Sequence, residues 1–166
     1  MSPNIGSIAV GNNNWTMDAT APPVEYEYPT FESTATGAEL LAERVSAMTA
    51  KGFQGVNGSD VLAAPTTFNI NNFWAQADVD HYGHFVSAVR NQPMTLKAES
   101  IKFNDPSKTV VTYCWTGQTS SMVTAYLTVL GYDAKSLKFG ANNLIFSELE
   151  SHKFAPPSVD LPVVTD

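Results

Sequence analysis

The stretch Thr109-Val110-Val111-Thr112-Tyr113-Cys114-Trp115-Thr116-Gly117-Gln118-Thr119-Ser120 decides the fold. Its first five residues are β-branched or aromatic and apolar enough for the middle of a sheet. Cys114 is the exit residue of that strand. A short polar loop containing Gly117 turns the chain, and a helix is expected from about Ser120 to Leu130, with Met122, Tyr126 and Val129 on one face. Gly131 fits its C-terminal cap. In open α/β sheets, ligands bind in the crevice beyond the carboxyl ends of the strands. A cysteine there faces the first turn of a helix, whose free N–H groups carry partial positive charge and favour thiolate over thiol. Gly117 allows a positive φ, and a curled loop can turn successive N–H groups inward as an anion nest.

Downstream, Asp133 to Phe139 reads as a further strand and Asn142 to Glu150 as a final helix. Upstream, Phe68 and Ile70 alternate with polar residues in a strand over 67–73. A short helix over Ala75 to Tyr82 ends at Gly83, and Ser87-Ala88-Val89 reads as another short strand. Before these, Leu41, Val45 and Met48 recur at helical spacing; Thr36 and Glu39 fit a capping box, and Lys51 and Gly52 fit the helix end. Strands alternating with helices predict an α/β domain with a mostly parallel central sheet covered on both faces. Residues 1–36 are rich in Asn, Pro, Thr and Ser. They read as an N-terminal extended arm, partly disordered or docked, with a docking piece around Val24-Glu25-Tyr26-Glu27-Tyr28. Residues 37–152 form the single domain, and 153–166 an extended C-terminal tail.

The chain has 166 residues, of which 43% are hydrophobic and 15% charged, enough for one ordinary core. Its net charge of −7 argues against nucleic-acid binding and against anionic membrane surfaces. No stretch approaches the roughly 20 apolar residues of a membrane span. Met1 to Thr16 has neither the basic start nor the apolar core of a leader. The compartment stays open between bacterial cytoplasm and, with a leader removed, periplasm. One cysteine excludes an internal disulfide. Glycosylation-type triplets at Asn14 and Asn57 are frequent by chance and carry no weight.

The loop resembles the active-site loop of the rhodanese-like domains, in which a cysteine opens a six-residue cradle running into a helix. The resemblance extends to Leu130-Gly131-Tyr132-Asp133-Ala134, to Leu137-Lys138-Phe139-Gly140, and upstream to Asp80-His81-Tyr82-Gly83-His84-Phe85 followed by Ala88. It spans about residues 55–150. Two departures stand out. Asn71-Asn72-Phe73-Trp74 occupies the region where that family often carries Asp-x-Arg, and Ser87 stands where it often has glycine. The resemblance implies a two-step sulfur transfer, without a cofactor, from a small sulfane-sulfur donor such as thiosulfate to a thiol or cyanide acceptor. A protein acceptor is compatible with it. Cys114 would be the catalytic residue, and the backbone of Trp115, Thr116, Gly117, Gln118, Thr119 and Ser120 the anion cradle. The alternative is a non-catalytic persulfide carrier or interaction module.

A lone cysteine is most often inert packing; the strand–loop–helix setting reverses that expectation and places Cys114 on a surface loop. His81 and His84 lack the spacing of a structural metal site, so no metal is expected, and His84 is read as a hydrogen-bonding brace of the sheet near the loop. Trp115 is either a lid over the site or packing against the arm; Trp74 and Trp15 are packing residues. Thr119 and Ser120 could give hydroxyl hydrogen bonds to a bound anion, whereas Ser120 or Ser121 could equally cap the helix. Lys138 is expected to face solvent. Phosphatases and arsenate reductases also use a cysteine in an N–H cradle, but tetrahedral oxyanions call for a bidentate arginine, and this loop has none.

Overall fold

The computed structural model describes residues 5–91 and 97–155. In chain order its elements are β1 (Trp15–Thr16), α1 (Gly37–Lys51), β2 (Gly55–Val56), α2 (Gly58–Ala63), β3 (Asn69–Asn72) and α3 (Gln76–Tyr82). There follow β4 (His84–Phe85), β5 (Val89–Arg90), α4 (Ala98–Ile101), β6 (Val110–Tyr113), α5 (Gln118–Val129), β7 (Ala134–Leu137) and α6 (Ala141–Leu144). Five strands form one sheet in the order β2-β7-β6-β3-β5, with every pairing parallel. β1 and β4 make a separate antiparallel ribbon. The α/β class and the parallel sheet read from the sequence are those observed.

Successive residues of β6 point to opposite faces. Val111 and Tyr113 join one apolar layer with Val61 and Leu62 of α2, Val79 of α3 and Leu144 of α6. Val110 joins the other, with Ile101 of α4 and Val123 and Leu127 of α5. Both faces are therefore covered, as an all-parallel sheet requires. From β3 the chain runs outward to β5, then returns to lay down β6 and β7 on the other side. The switch point thus lies between β3 and β6, and Cys114 follows β6 directly at its carboxyl end.

β3 is buried at all four positions although three are asparagines. Each finds a partner, as buried polar groups must. Asn69 Oδ1 accepts the Asp105 N–H at 3.0 Å, Asn71 Nδ2 donates to Asn104 Oδ1 at 2.7 Å, and Asn72 Nδ2 donates to the Tyr113 hydroxyl at 2.6 Å. Asn72 Oδ1 also accepts the Trp74 N–H at 3.0 Å, and Arg90 Nε donates to the Trp74 carbonyl at 3.1 Å. Neutral amides thus brace the place where the sequence departs from an Asp-x-Arg pair.

Several expectations are corrected. Thr36 stands at the α1 cap position, but its side chain makes no cap hydrogen bond; the first turn closes through Glu39 N–H to Thr36 O at 3.2 Å. No α1 residue is buried, and Leu41 is 56% exposed, because α1 lies on α5 outside the sheet layers rather than in the core. α5 begins at Gln118, not Ser120. Its buried face is Ser120, Val123, Thr124, Leu127 and Thr128, while Met122 is 74% exposed. The last helix stops at Leu144, since the following backbone pairs with the N-terminal segment: Ala9 N–H donates to Leu144 O at 2.8 Å and Phe146 N–H to Gly6 O at 3.0 Å. The strand near Ser87 is β5, which starts two residues later, at Val89, because Ser87 itself has φ 72°.

The docking piece of the arm meets α4. Tyr26 N–H donates to Lys102 O at 2.8 Å, Lys102 Nζ pairs with Glu25 at 2.6 Å, and the Tyr28 hydroxyl donates to Ala98 O at 3.0 Å. The tail beyond residue 155 lies outside the described residues. No helix among the described residues is long and apolar enough to cross a membrane.

Candidate functional site

Cys114 leaves β6 into a turn of three residues, Trp115 to Gly117, before α5 begins. Gly117 is the α5 cap residue, in the left-handed region with φ 94°, a conformation that favours glycine. That geometry turns its N–H back toward Cys114 Sγ at 3.2 Å, and the Ser120 N–H also donates to Sγ at 3.5 Å. The thiol lies 3.6 Å from Ser120 Oγ. Two backbone donors at the N-terminus of a twelve-residue helix therefore converge on one sulfur. Such an arrangement complements an anionic sulfur, whether thiolate or persulfide.

Cys114 is 4% exposed, which corrects the expectation of a surface position. A second turn, Phe139 to Ala141, closes over the loop: Ala141 N–H donates to the Cys114 carbonyl at 3.0 Å. A Cβ on Gly140 would come within 2.2 Å of that carbonyl oxygen, so only glycine permits the approach.

The six residues expected to form the cradle differ in what they touch. Gly117 and Ser120 meet the sulfur. Neither Ser120 nor Ser121 occupies the cap position, but both hydroxyls donate to the Gly117 carbonyl, at 3.1 and 2.5 Å, and hold the turn. Ser120 Oγ also lies 2.8 Å from Ser136 Oγ of β7. Thr119 and Gln118 are exposed on the first turn of α5, and Thr116 is half-buried. Trp115 is sandwiched: its ring stacks on Trp74 at 4.6 Å and on His152 at 4.9 Å. It therefore packs against Trp74 and the C-terminal segment. Trp74 is fully buried and Trp15 packs edge-on to Trp74 and Phe85, so both are packing residues as expected.

Asn142, which the sequence reading did not single out, is fully buried and ties three segments together. Its Nδ2 donates to the Trp115 and His152 carbonyls, both at 2.9 Å, and its Oδ1 accepts the Phe154 N–H at 2.7 Å. A cleft of about 470 Å³ borders the loop. Thr116, Gly117, Gln118 and Ser121 line it together with Phe53, Lys138, Phe139 and Phe154. Lys138 is half-buried there, with Nζ 3.2 Å from Asn57 Oδ1, instead of facing open solvent. Nothing local in the sequence announces Phe53 or Phe154, which reach the cleft from distant segments.

The histidines diverge. His84 is buried, with Nδ1 2.8 Å from the Phe85 carbonyl and Nε2 2.7 Å from the Asp18 carbonyl, so it braces the arm onto β4. His81 is exposed and lies 3.4 Å from Glu150. No group of three metal-binding side chains occurs among the described residues. Both arginines of the chain are engaged away from the loop: Arg90 with Trp74, and Arg44 with the Val129 and Thr128 carbonyls at 3.0 and 2.9 Å.

No family model matches the sequence, and no curated protein matches it. Among solved structures, a rhodanese-related protein from Thermoplasma volcanium is similar over 57% of this chain and 93% of its own, with 13% identity and a TM-score of 0.48. A protein from Lactobacillus plantarum is similar over 61% of this chain and 90% of its own, with 27% identity and a TM-score of 0.44. A protein from Bacillus halodurans is similar over 60% of this chain and 76% of its own, at 17% identity and a TM-score of 0.43.

Proposed function

We propose that this α/β domain is a rhodanese-type sulfurtransferase that moves sulfane sulfur from a donor to a thiophilic acceptor through a persulfide on Cys114. The observation that carries the reading is the convergence of the Gly117 and Ser120 N–H groups on Sγ, at 3.2 and 3.5 Å. In the first step the Cys114 thiolate attacks the outer sulfur of the donor. A new S–S bond forms, the donor's S–S bond breaks, and the leaving group departs with the electron pair. In the second step an acceptor thiolate or cyanide attacks the terminal sulfur, and the Cys114 thiolate leaves. This is covalent catalysis by double displacement. The two N–H groups stabilise the charge on sulfur in each state, as an oxyanion hole does for oxygen.

Oxyanion chemistry of the phosphatase kind fits less well, because neither arginine is placed to close on a tetrahedral anion. Burial of Cys114 to 4% exposure favours a second reading, a persulfide carrier or interaction module loaded by a partner. Intact mass after incubation with thiosulfate tests the chemistry: a gain of one sulfur atom, absent in Cys114→Ser, is expected. Repeated turnover with cyanide is expected of the enzyme and not of the carrier.

A further inference from the structure

The cleft beside the loop is lined by the rings of Phe53, Phe139 and Phe154, which come from three separate parts of the chain. Phe53 is 65% and Phe154 37% exposed, a costly way to present apolar area to water. Phe139 adopts φ 64°, a backbone region that bulky residues rarely take, and its ring meets Phe154 edge-on at 6.1 Å. Phe154 is fixed to the loop through Asn142, which bonds both the Phe154 N–H and the Trp115 carbonyl. Phe154 and the loop that follows Cys114 are therefore held by one buried side chain. Gly117 belongs to both, lining the cleft while its N–H meets Sγ. Ser136 likewise lines the cleft and touches Ser120, the other residue at the sulfur.

The charge of this cleft is as informative as its apolarity. Lys138 is the one formally charged residue among the described residues that line it. No second cation faces a dianion, and the −7 of the whole chain opposes one. Apolar walls with a few polar groups suit an organic ligand.

We propose that the cleft takes the apolar body of a monoanionic organic sulfane-sulfur donor, a thiosulfonate or organic persulfide, in preference to thiosulfate; this rests on the sulfur-transfer reading above. With a thiosulfonate R–SO2–S⁻, the Cys114 thiolate attacks the outer sulfur and the S–S bond to the sulfonyl group breaks. The sulfinate R–SO2⁻ leaves with the electron pair, and the persulfide anion remains. Two negative charges enter and two remain, so neither proton nor oxidant is needed. The phenylalanine rings hold R, and Lys138 offsets the single charge.

Two measurements on the folded full chain test this. The first needs no turnover: NMR titration of the reduced protein with benzenesulfonate, which cannot donate sulfur, and with sulfate. Benzenesulfonate is expected to bind about tenfold tighter or more, and Phe154→Ala and Phe53→Ala each to cut that preference about tenfold. The second compares kcat/KM for benzenethiosulfonate and thiosulfate. The aryl donor is expected to be favoured in the wild type, with the ratio falling in both variants. Equal binding of the two anions, or a preference untouched by both substitutions, overturns the proposal whatever the turnover shows. Selective benzenesulfonate binding with no sulfur loaded onto Cys114 from either donor supports the cleft's ligand class and instead overturns the sulfur-transfer reading.

Discussion

Asn72 Nδ2 lies 2.6 Å from the Tyr113 hydroxyl, so the last residue of β3 is bonded across the sheet to the last residue of β6. Both side chains are fully buried. The bond secures the strand end from which Cys114 emerges, and Asn72 Oδ1 at the same time starts the turn into α3 through the Trp74 N–H.

Asn72→Ala is expected to destabilise the protein by about 2 kcal/mol, since it removes a buried bond to the Tyr113 hydroxyl and takes from the buried Trp74 N–H its side-chain acceptor. Urea unfolding would show a lower midpoint at an unchanged slope. A midpoint equal to that of the wild type would mean that water or a neighbouring group takes over both bonds.

Cys114→Ser is expected to abolish sulfur loading and thiosulfate:cyanide turnover while shifting the melting temperature by only a few degrees. The serine oxygen can accept the same Gly117 and Ser120 N–H groups that the sulfur meets. Turnover retained in this variant would sink the proposed mechanism, because the chain has no other thiol.

Legibility in the sequence followed locality. β6, its loop and α5 were readable because an apolar run, a cysteine, a glycine and a helix sit consecutively, each with its own local physics. The burial of Cys114 was not readable, because it depends on the Gly140 turn, which meets the loop only after β7 has paired with β6. The Trp115 sandwich depends in the same way on Trp74 and His152. β1, β2 and β4 are two residues long, too short to show any periodicity. The face of α5 is not legible from apolar spacing, because its buried side carries Ser120, Thr124 and Thr128, whereas the apolar Met122 faces out. β3 hid its burial behind asparagines, each satisfied only by residues far along the chain.

Two tyrosines set an alkaline limit. Burial pushes the Tyr113 hydroxyl well above its ordinary value of 10.0, and burial with the nearby Tyr28 charge raises Tyr132 to about 12. The folded state thus holds these protons more tightly than the unfolded chain. Their contribution to stability is complete below about pH 10 and is lost as the pH rises through the folded values. Urea midpoints measured between pH 9 and about pH 12 should fall only above about pH 10, and Tyr132→Phe should reduce that dependence. A dependence unchanged in Tyr132→Phe would rule out its titration as a contributor.

Thiosulfate approaches a loop in which Trp115, Thr116, Gly117, Gln118, Thr119 and Ser120 carry no formal charge, on a protein of net charge −7. Its local charge meets two N–H groups, but nothing in the loop attracts it from a distance. A high KM for thiosulfate is therefore expected. Thr116 and Gln118 both line the cleft, and Gln118 is exposed. Gln118→Arg or Thr116→Lys should lower the KM for thiosulfate more than it raises kcat, because the added charge acts mainly in binding. The gain should shrink as salt rises, since an exposed charge is screened over roughly 8–10 Å at moderate ionic strength. Steady-state kinetics on the two variants at low and high salt would measure this. Saturation of the wild type at micromolar thiosulfate, or a KM indifferent to the added cations, would overturn this electrostatic argument.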